Sequence, residues 1–222
     1  VAKENVVEDK ETRICYSYDA TNLKYLPDLI VYPFTREQIS AILKLANEAR
    51  FPVIPRGAGT GFTGGTLPVE GGVVLVLTKM NRILQIDREN LLALVEPGVI
   101  TYHLQQEVEK IGLFYPPDPA SLKSSTIGGN VAECAGGPRA VKYGVTKDYV
   151  LGLEVVLPTG EIVSTGVQTV KSVVGYDLTK LLVGSEGTLG VITKIILRLL
   201  PLPKAKSTML AIFPTIEAAA TS

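Results

Sequence analysis

Apolar positions fall into two rhythms along the chain. Residues 29–32 form a short apolar run stopped by Pro33, which predicts a strand. Thr35-Arg36-Glu37-Gln38 then reads as a capping box, and Ile39, Ile42, Leu43 and Ala46 follow at helical spacing. This predicts a helix over 36–49 with one face on a sheet. Residues 51–55 return as a strand, a glycine-dense loop covers 56–65, and 72–77 read as a buried strand. Beyond Asn81 the pattern predicts strands at 83–87 and 91–95 and a helix at 101–110, with Leu104, Val108 and Ile111 on its apolar side. A second glycine-rich tract spans 116–144. Residues 151–157 and 162–165 flank Pro158-Thr159-Gly160-Glu161 and predict a hairpin. A short helix is expected near 176–183, glycines recur over 184–190, and an apolar strand runs over 191–200 to Pro201 and Pro203. The order of elements is that of an α+β chain in two lobes, 1–80 and 81–205, with a seam near 79–82.

Composition narrows the classes of function. The chain has 222 residues, 46% hydrophobic and 20% charged, enough to bury a core. Lys plus Arg equals Asp plus Glu at 22 each, so no net charge steers nucleic acid or anionic lipid. No apolar run approaches the roughly 18 residues of a membrane span. The first residues, Val1-Ala2-Lys3-Glu4, mix charges and lack the apolar core of a secretory leader. Cys15 and Cys134 stand far apart without a C-x-x-C, which supports no disulfide framework, iron–sulfur centre or zinc site and fits idle thiols in the cytoplasm.

Gly59-Thr60-Gly61-Phe62-Thr63-Gly64 matches the G-x-G-x-x-G of nicotinamide dinucleotide folds. That motif needs a strand turning directly into a long helix. Here Gly65, Pro68, Gly71 and Gly72 follow, and a strand comes next, so no such helix can form. A loop with five glycines over 56–65 can instead present successive backbone N–H groups as an anion nest, although a plain surface loop has the same composition.

Three separated tracts together resemble the flavin-binding domain of the vanillyl-alcohol oxidase superfamily, the PCMH-type fold, in its glycolate oxidase and D-lactate dehydrogenase branch. They are Pro55-Arg56-Gly57-Ala58-Gly59-Thr60-Gly61; then Pro116-Pro117-Asp118-Pro119-Ala120-Ser121, Thr126-Ile127-Gly128-Gly129-Asn130, Gly136-Gly137 and Lys142-Tyr143-Gly144; and last Gly184-Ser185-Glu186-Gly187-Thr188-Leu189-Gly190-Val191-Ile192. The resemblance spans 26–203 and implies FAD as cofactor. It places Arg56, Gly57, Ala58, Gly59, Thr60, Gly61, Gly64 and Gly65 at the pyrophosphate. Pro117, Asp118, Ser121, Thr126, Gly128, Gly129 and Asn130 would lie along the phosphate, ribityl and ring region. Gly136, Gly137, Tyr143 and Gly144 would line the next stretch, and Glu186, Gly187 and Ile192 the adenosine end. The segment 126–130 is expected to open a helix whose free N–H groups face phosphate. Some members bind flavin through a histidine in the first glycine loop; Thr60 and its neighbours supply none, so the FAD is expected to be noncovalent.

Oxidising a 2-hydroxyacid needs a carboxylate clamp, a base and a hydride acceptor. In the resembled branch the first two belong largely to a cap domain, of which 206–222 looks like the start, so these 222 residues are expected to be inactive alone. The sole histidine, His103, sits on the helix over 101–110, and no histidine-based metal site can be built. Arg139 and Lys142 lie in the tract expected near the flavin ring, where they could assist substrate or flavin charge or stand as solvated loop charges. The leading expectation is therefore the FAD half of a flavin-dependent 2-hydroxyacid dehydrogenase. It would pass electrons to an iron–sulfur subunit, an electron-transfer flavoprotein or a quinone, in the cytoplasm or at the inner membrane through a partner. The alternatives are a flavin-binding electron-transfer subunit with no substrate site of its own and a peptidoglycan-precursor reductase.

Overall fold

The structure is a computed structural model that describes residues 1–169, 171 and 173–222. The first sheet is built from β1 (Val6–Val7), β2 (Leu29–Val31), β3 (Val53–Arg56) and β4 (Val73–Val76), in the order β1-β2-β4-β3. Strands β2 and β3 both pair parallel with β4, and β1 pairs antiparallel with β2. Helix α1 (Lys10–Cys15) precedes β2, and α2 (Arg36–Ala49) connects β2 to β3. The second sheet is antiparallel, β5 (Ile83–Asp87), β6 (Leu92–Val95), β8 (Val150–Val156), β9 (Ile162–Gly166) and β10 (Val191–Arg198), in the order β5-β6-β10-β8-β9. Between β6 and β8 come α3 (Thr101–Glu109), β7 (Leu113–Phe114), α4 (Ile127–Glu133) and α5 (Ala140–Tyr143). Helix α6 (Leu178–Leu182) precedes β10; β11 (Leu200–Pro201), which pairs with β7, and α7 (Ile216–Ala220) follow it.

Helix α2 forms where the pattern predicts it, with a shifted cap. The Thr35 hydroxyl accepts from Gln38 N–H at 3.3 Å, but the Gln38 side chain accepts from Phe34 N–H at 2.8 Å, one residue before the partner a capping box requires. Arg50, in the left-handed region at φ 59°, ends the helix. The buried face of α2 packs between the two sheets: Ile39 and Leu43 share a core with Val73 and Leu75 of β4 and with Val156 and Val191 of the second sheet. Polar bonds reinforce that junction. The Ser40 hydroxyl donates to the Gly160 carbonyl at 2.5 Å and the Asn47 amide to the Pro158 carbonyl at 2.6 Å, so α2 holds the turn of the β8–β9 hairpin. The larger core lies under the second sheet, where Leu104 and Val108 of α3 and Ile127 and Val131 of α4 meet Leu153, Ile195 and Leu197.

Three sequence expectations change. Ile111 lies past the end of α3 and is 37% exposed. The strand expected over 191–200 divides at Leu199, whose N–H donates to the Leu91 carbonyl at 2.7 Å, and Leu200 then starts a separate pairing with β7. The helix expected over 176–183 shortens to α6, capped by the Asp177 side chain. No described helix is long and apolar enough to cross a membrane.

Candidate functional site

A cavity of about 250 Å³ opens between the loop that follows β3, the start of α4, and the segment leading into β10. The loop leaves β3 and returns to β4 with no α-helix between them, the connection that its prolines and paired glycines require. From the first tract the cavity is lined by Arg56, Gly57, Ala58, Gly59, Thr60, Gly61 and Gly65. Ser121, Thr126, Gly128, Gly129 and Asn130 line it from the second, and Glu186, Gly187 and Ile192 from the third. Residues distant in sequence therefore converge on one space. Gly64 is not among its walls; it takes part in a turn in which its carbonyl accepts from Leu67 N–H at 3.0 Å.

The loop fits an anion. Among the described residues, the backbone N–H groups of residues 58–63 have no main-chain partner, which leaves them free to form a nest. Behind them the Arg56 guanidinium is buried, and its Nε has no hydrogen-bond partner. Burial pulls the Arg56 pKa down, and the nearby Asp19 carboxylate opposes that.

The start of α4 departs from expectation. Its first N–H groups are already taken: Ile127 donates to the Val99 carbonyl at 2.8 Å, Gly128 to the Pro97 carbonyl at 2.8 Å, and Gly129 to its own N-cap, the Thr126 hydroxyl, at 3.1 Å. Open helix-terminal donors are therefore not what this segment offers a phosphate. It offers close packing, with Gly57 abutting the Thr126 hydroxyl across the cavity floor. The Asn130 amide also works within the protein, donating to the Thr101 hydroxyl at 2.7 Å, and Thr101 in turn contacts the Ser125 hydroxyl at 3.0 Å. This buried chain of polar groups locks α3, the second tract and α4 together.

Pro117, Asp118, Gly136, Gly137, Tyr143 and Gly144 are not among the cavity walls. The Pro117 carbonyl accepts from the Gln105 amide at 2.8 Å, facing α3. Asp118 accepts from Arg139 N–H at 3.0 Å and pairs with Arg139 Nε at 3.3 Å, while Gly137 passes against the Asp118 carbonyl. The Arg139 guanidinium lies 5.1 Å from the Phe114 ring centre, and Phe114 meets Tyr143 edge-on at 5.5 Å. Lys142 lies 5.1 Å from the Tyr143 ring centre, and Gly144 sits beside Asp148. Asp118 thus acts as the organiser of the 136–144 tract. Asp118→Ala is expected to cost about 1.5–3 kcal/mol, the range for hydrogen bonds to charged groups. A lower melting temperature and faster proteolysis within 136–144 are the measurements; an unchanged cleavage pattern would remove the organising role.

Sequence reasoning missed Glu133, Ser125, Pro97 and Phe62, all of which line the cavity. Glu133 was findable, because it lies three residues after Asn130 on the same helix and so shares its face. Its carboxylate accepts from the Thr63 hydroxyl at 3.0 Å. Burial raises its pKa above the ordinary 4.5, the Thr63 bond partly offsets this, and the Glu186 charge adds to the rise. A carboxylate raised in the folded state contributes stability at low pH and loses it as pH climbs through the raised value. Glu133→Gln should therefore be more stable than wild type at neutral pH, with the gap closing below the ordinary glutamate range. Thermal unfolding at the two pH values checks it, and a gap that widened in acid would contradict the assignment.

His103 is exposed on α3 beside Tyr102, away from the cavity. Cys15 is exposed and Cys134 half-buried, both as free thiols.

Comparison with known proteins identifies the class of domain that this fold and cavity make. The family profile described as FAD binding domain matches residues 27–166, and the chain belongs to that family. FAD is its cofactor. The chain is 54% identical over 218 residues to "Glycolate oxidase subunit GlcD" of Bacillus subtilis, covering 98% of this chain and 46% of that protein. It is 44% identical over 219 residues to "D-lactate dehydrogenase" of Anaerostipes hadrus, with the same two coverages, 98% and 46%. The chain thus spans about half the length of these relatives. Among solved structures, p-cresol methylhydroxylase with substrate bound superposes with a TM-score of 0.79 at 29% identity, over 91% of this chain and 41% of that one. The α+β, PCMH-type fold is therefore the fold of this chain.

Proposed function

We propose that the chain is the FAD-holding half of a flavin-dependent 2-hydroxyacid dehydrogenase of glycolate or D-lactate type, with its FAD bound noncovalently. The observation that carries this reading is the 54% identity to a glycolate oxidase subunit, which extends across 98% of the chain and includes all three cavity-forming tracts. FAD, when bound, supplies the acceptor for a hydride taken from the substrate carbon. The chain's own residues do the holding: the loop N–H groups receive the diphosphate, the α4 start packs against the cofactor, and Glu186, Gly187 and Ile192 flank the adenosine. No histidine stands in the loop, so no imidazole is present there to form a covalent link. We divide the chain into lobes 1–80 and 81–205, with 206–222 as the beginning of a substrate-side cap. The acceptor of the electrons would be an iron–sulfur subunit, an electron-transfer flavoprotein or a quinone, and the place of action the cytoplasm. The alternative reading is a flavin subunit that carries electrons without a substrate site, and the position of the single histidine, outside the cavity, fits both.

The test has two arms, both anaerobic and followed by flavin absorbance. The FAD-loaded 222-residue chain should be bleached by dithionite and not by D-lactate, glycolate or D-2-hydroxyglutarate. A fusion that appends the remaining half of the Bacillus subtilis relative should be bleached by one of the hydroxyacids. A fusion that holds FAD and responds to none of them would contradict the dehydrogenase reading and favour the second. Rapid bleaching of the chain alone would place a base within it, with Arg139, Lys142 and Tyr143 the first candidates to replace.

A further inference from the structure

Arg56 ends β3, opens the cofactor loop and lines the cavity, and its two Nη donors are engaged by the protein. Nη2 donates to the Tyr18 carbonyl at 2.7 Å, and Nη1 reaches the Tyr16 carbonyl and the Thr66 hydroxyl at 3.4 Å each. The guanidinium carbon lies 5.4 Å from the Tyr16 ring centre. Asp19, buried, accepts from that same Thr66 hydroxyl at 3.4 Å. Gly59 lies directly over the guanidinium at φ 69°, and a β-carbon there would stand 2.7 Å from the guanidinium carbon. The side chain is thus clamped between the loop in front and residues 16–19 behind. Those residues are themselves folded: the Ser17 carbonyl accepts from Tyr25 N–H at 2.8 Å, and Asp19 accepts from Thr21 N–H at 2.9 Å. They lie outside the 27–166 span of the family match.

We propose that Arg56 is a positioning residue through which the N-terminal segment 16–19 and FAD binding stabilise each other. This rests on the assignment of FAD to the cavity. A buried guanidinium needs acceptors to offset its desolvation, and the segment provides two carbonyls and an aromatic face. Held there, the guanidinium fixes Gly59 and keeps the loop N–H groups arranged for an anion before it arrives, which lowers the ordering cost of binding. Its positive charge also sits close behind those N–H groups. Coupling of two binding events is reciprocal, so what the segment does for FAD affinity, FAD must do for the segment.

The experiment measures FAD affinity by fluorescence quenching and hydrogen exchange of the chain with and without FAD. In wild type, FAD should slow exchange both at 57–61 and at 16–19. Arg56→Gln, which keeps donors and loses the charge, should bind FAD about tenfold or more weakly and lose the response at 16–19. Arg56→Lys, which keeps the charge, should recover part of the affinity. Protection at 57–61 with no change at 16–19 in wild type would overturn the coupling while leaving the cofactor in place. That arm needs no variant, so it decides even if a substituted chain fails to fold. Unchanged affinity in a folded Arg56→Gln chain would overturn it as well, and no FAD binding by wild type would overturn both the coupling and the cofactor assignment.

Discussion

Gly128→Val is expected to abolish FAD retention and to lower the melting temperature by roughly 6–12 °C. The position is the second residue of α4, and its backbone lies against Pro97. A β-carbon there would stand 2.5 Å from Pro97 Cβ, 2.9 Å from the Pro97 carbonyl oxygen and 3.0 Å from Pro97 Cα. None of these is the far end of a flexible chain, so the helix start or the β6–α3 connection must move. Overpacking of that kind costs about 1–3 kcal/mol, and valine's second branch puts this site at the upper end. At about 2–4 °C per kcal/mol for a chain of this size, 3 kcal/mol gives the stated shift. The movement would also break the Gly128 N–H bond to Pro97 and carry Thr126 away from Gly57. Scanning calorimetry and flavin content after purification are the measurements. A variant with wild-type melting and full flavin would mean that the contact relaxes without cost.

The second large effect is expected at the junction of the two sheets. Glu154 of β8 is buried, and its carboxylate accepts from the Thr193 hydroxyl at 3.0 Å, from Lys194 at 3.3 Å and from the Arg36 guanidinium of α2. Removing it leaves two cations side by side. Both are about a third or more exposed and can rehydrate, which brings the cost below that of a fully buried pair. Glu154→Ala should lose about 2 kcal/mol, or about 4–8 °C, and weaken FAD binding because the cavity is built from both sheets. Arg36→Ala should lose much less, since its loss leaves Glu154 with Lys194 and Thr193. Equal losses in the two variants would show that the carboxylate works only through Arg36.

Whether a residue's role is legible in the sequence depends on whether that role is local. Helix α2, strand β5 and the β8–β9 hairpin follow from spacing and turn chemistry that a short window contains. The exclusion of a nicotinamide-type fold is equally local, because Pro68 and the paired glycines forbid the helix that motif needs. Roles set by tertiary neighbours were not legible. Arg56 belongs to a motif that resembles a pyrophosphate loop, but nothing near it in sequence says that Nη1 and Nη2 reach the carbonyls of residues 16 and 18. Gly128 and Gly129 look like open helix-terminal donors until Pro97 and Thr126 are seen to occupy them. Asp118 sits in a tract that resembles a flavin contact, whereas its partner, Arg139, is 21 residues away. Helix α1 and strand β1 are too short for a period to show, and β1 forms by pairing with β2.

The space between the loop after β3 and the start of α4 is expected to hold FAD without a covalent bond. The measurement is to titrate the apoprotein with FAD, then denature the complex in acid and separate precipitate from supernatant. Saturation at one FAD per chain and intact FAD wholly in the supernatant are expected. Flavin that stays with the precipitated chain, or an apoprotein that saturates with NADH or FMN and not with FAD, would contradict that expectation.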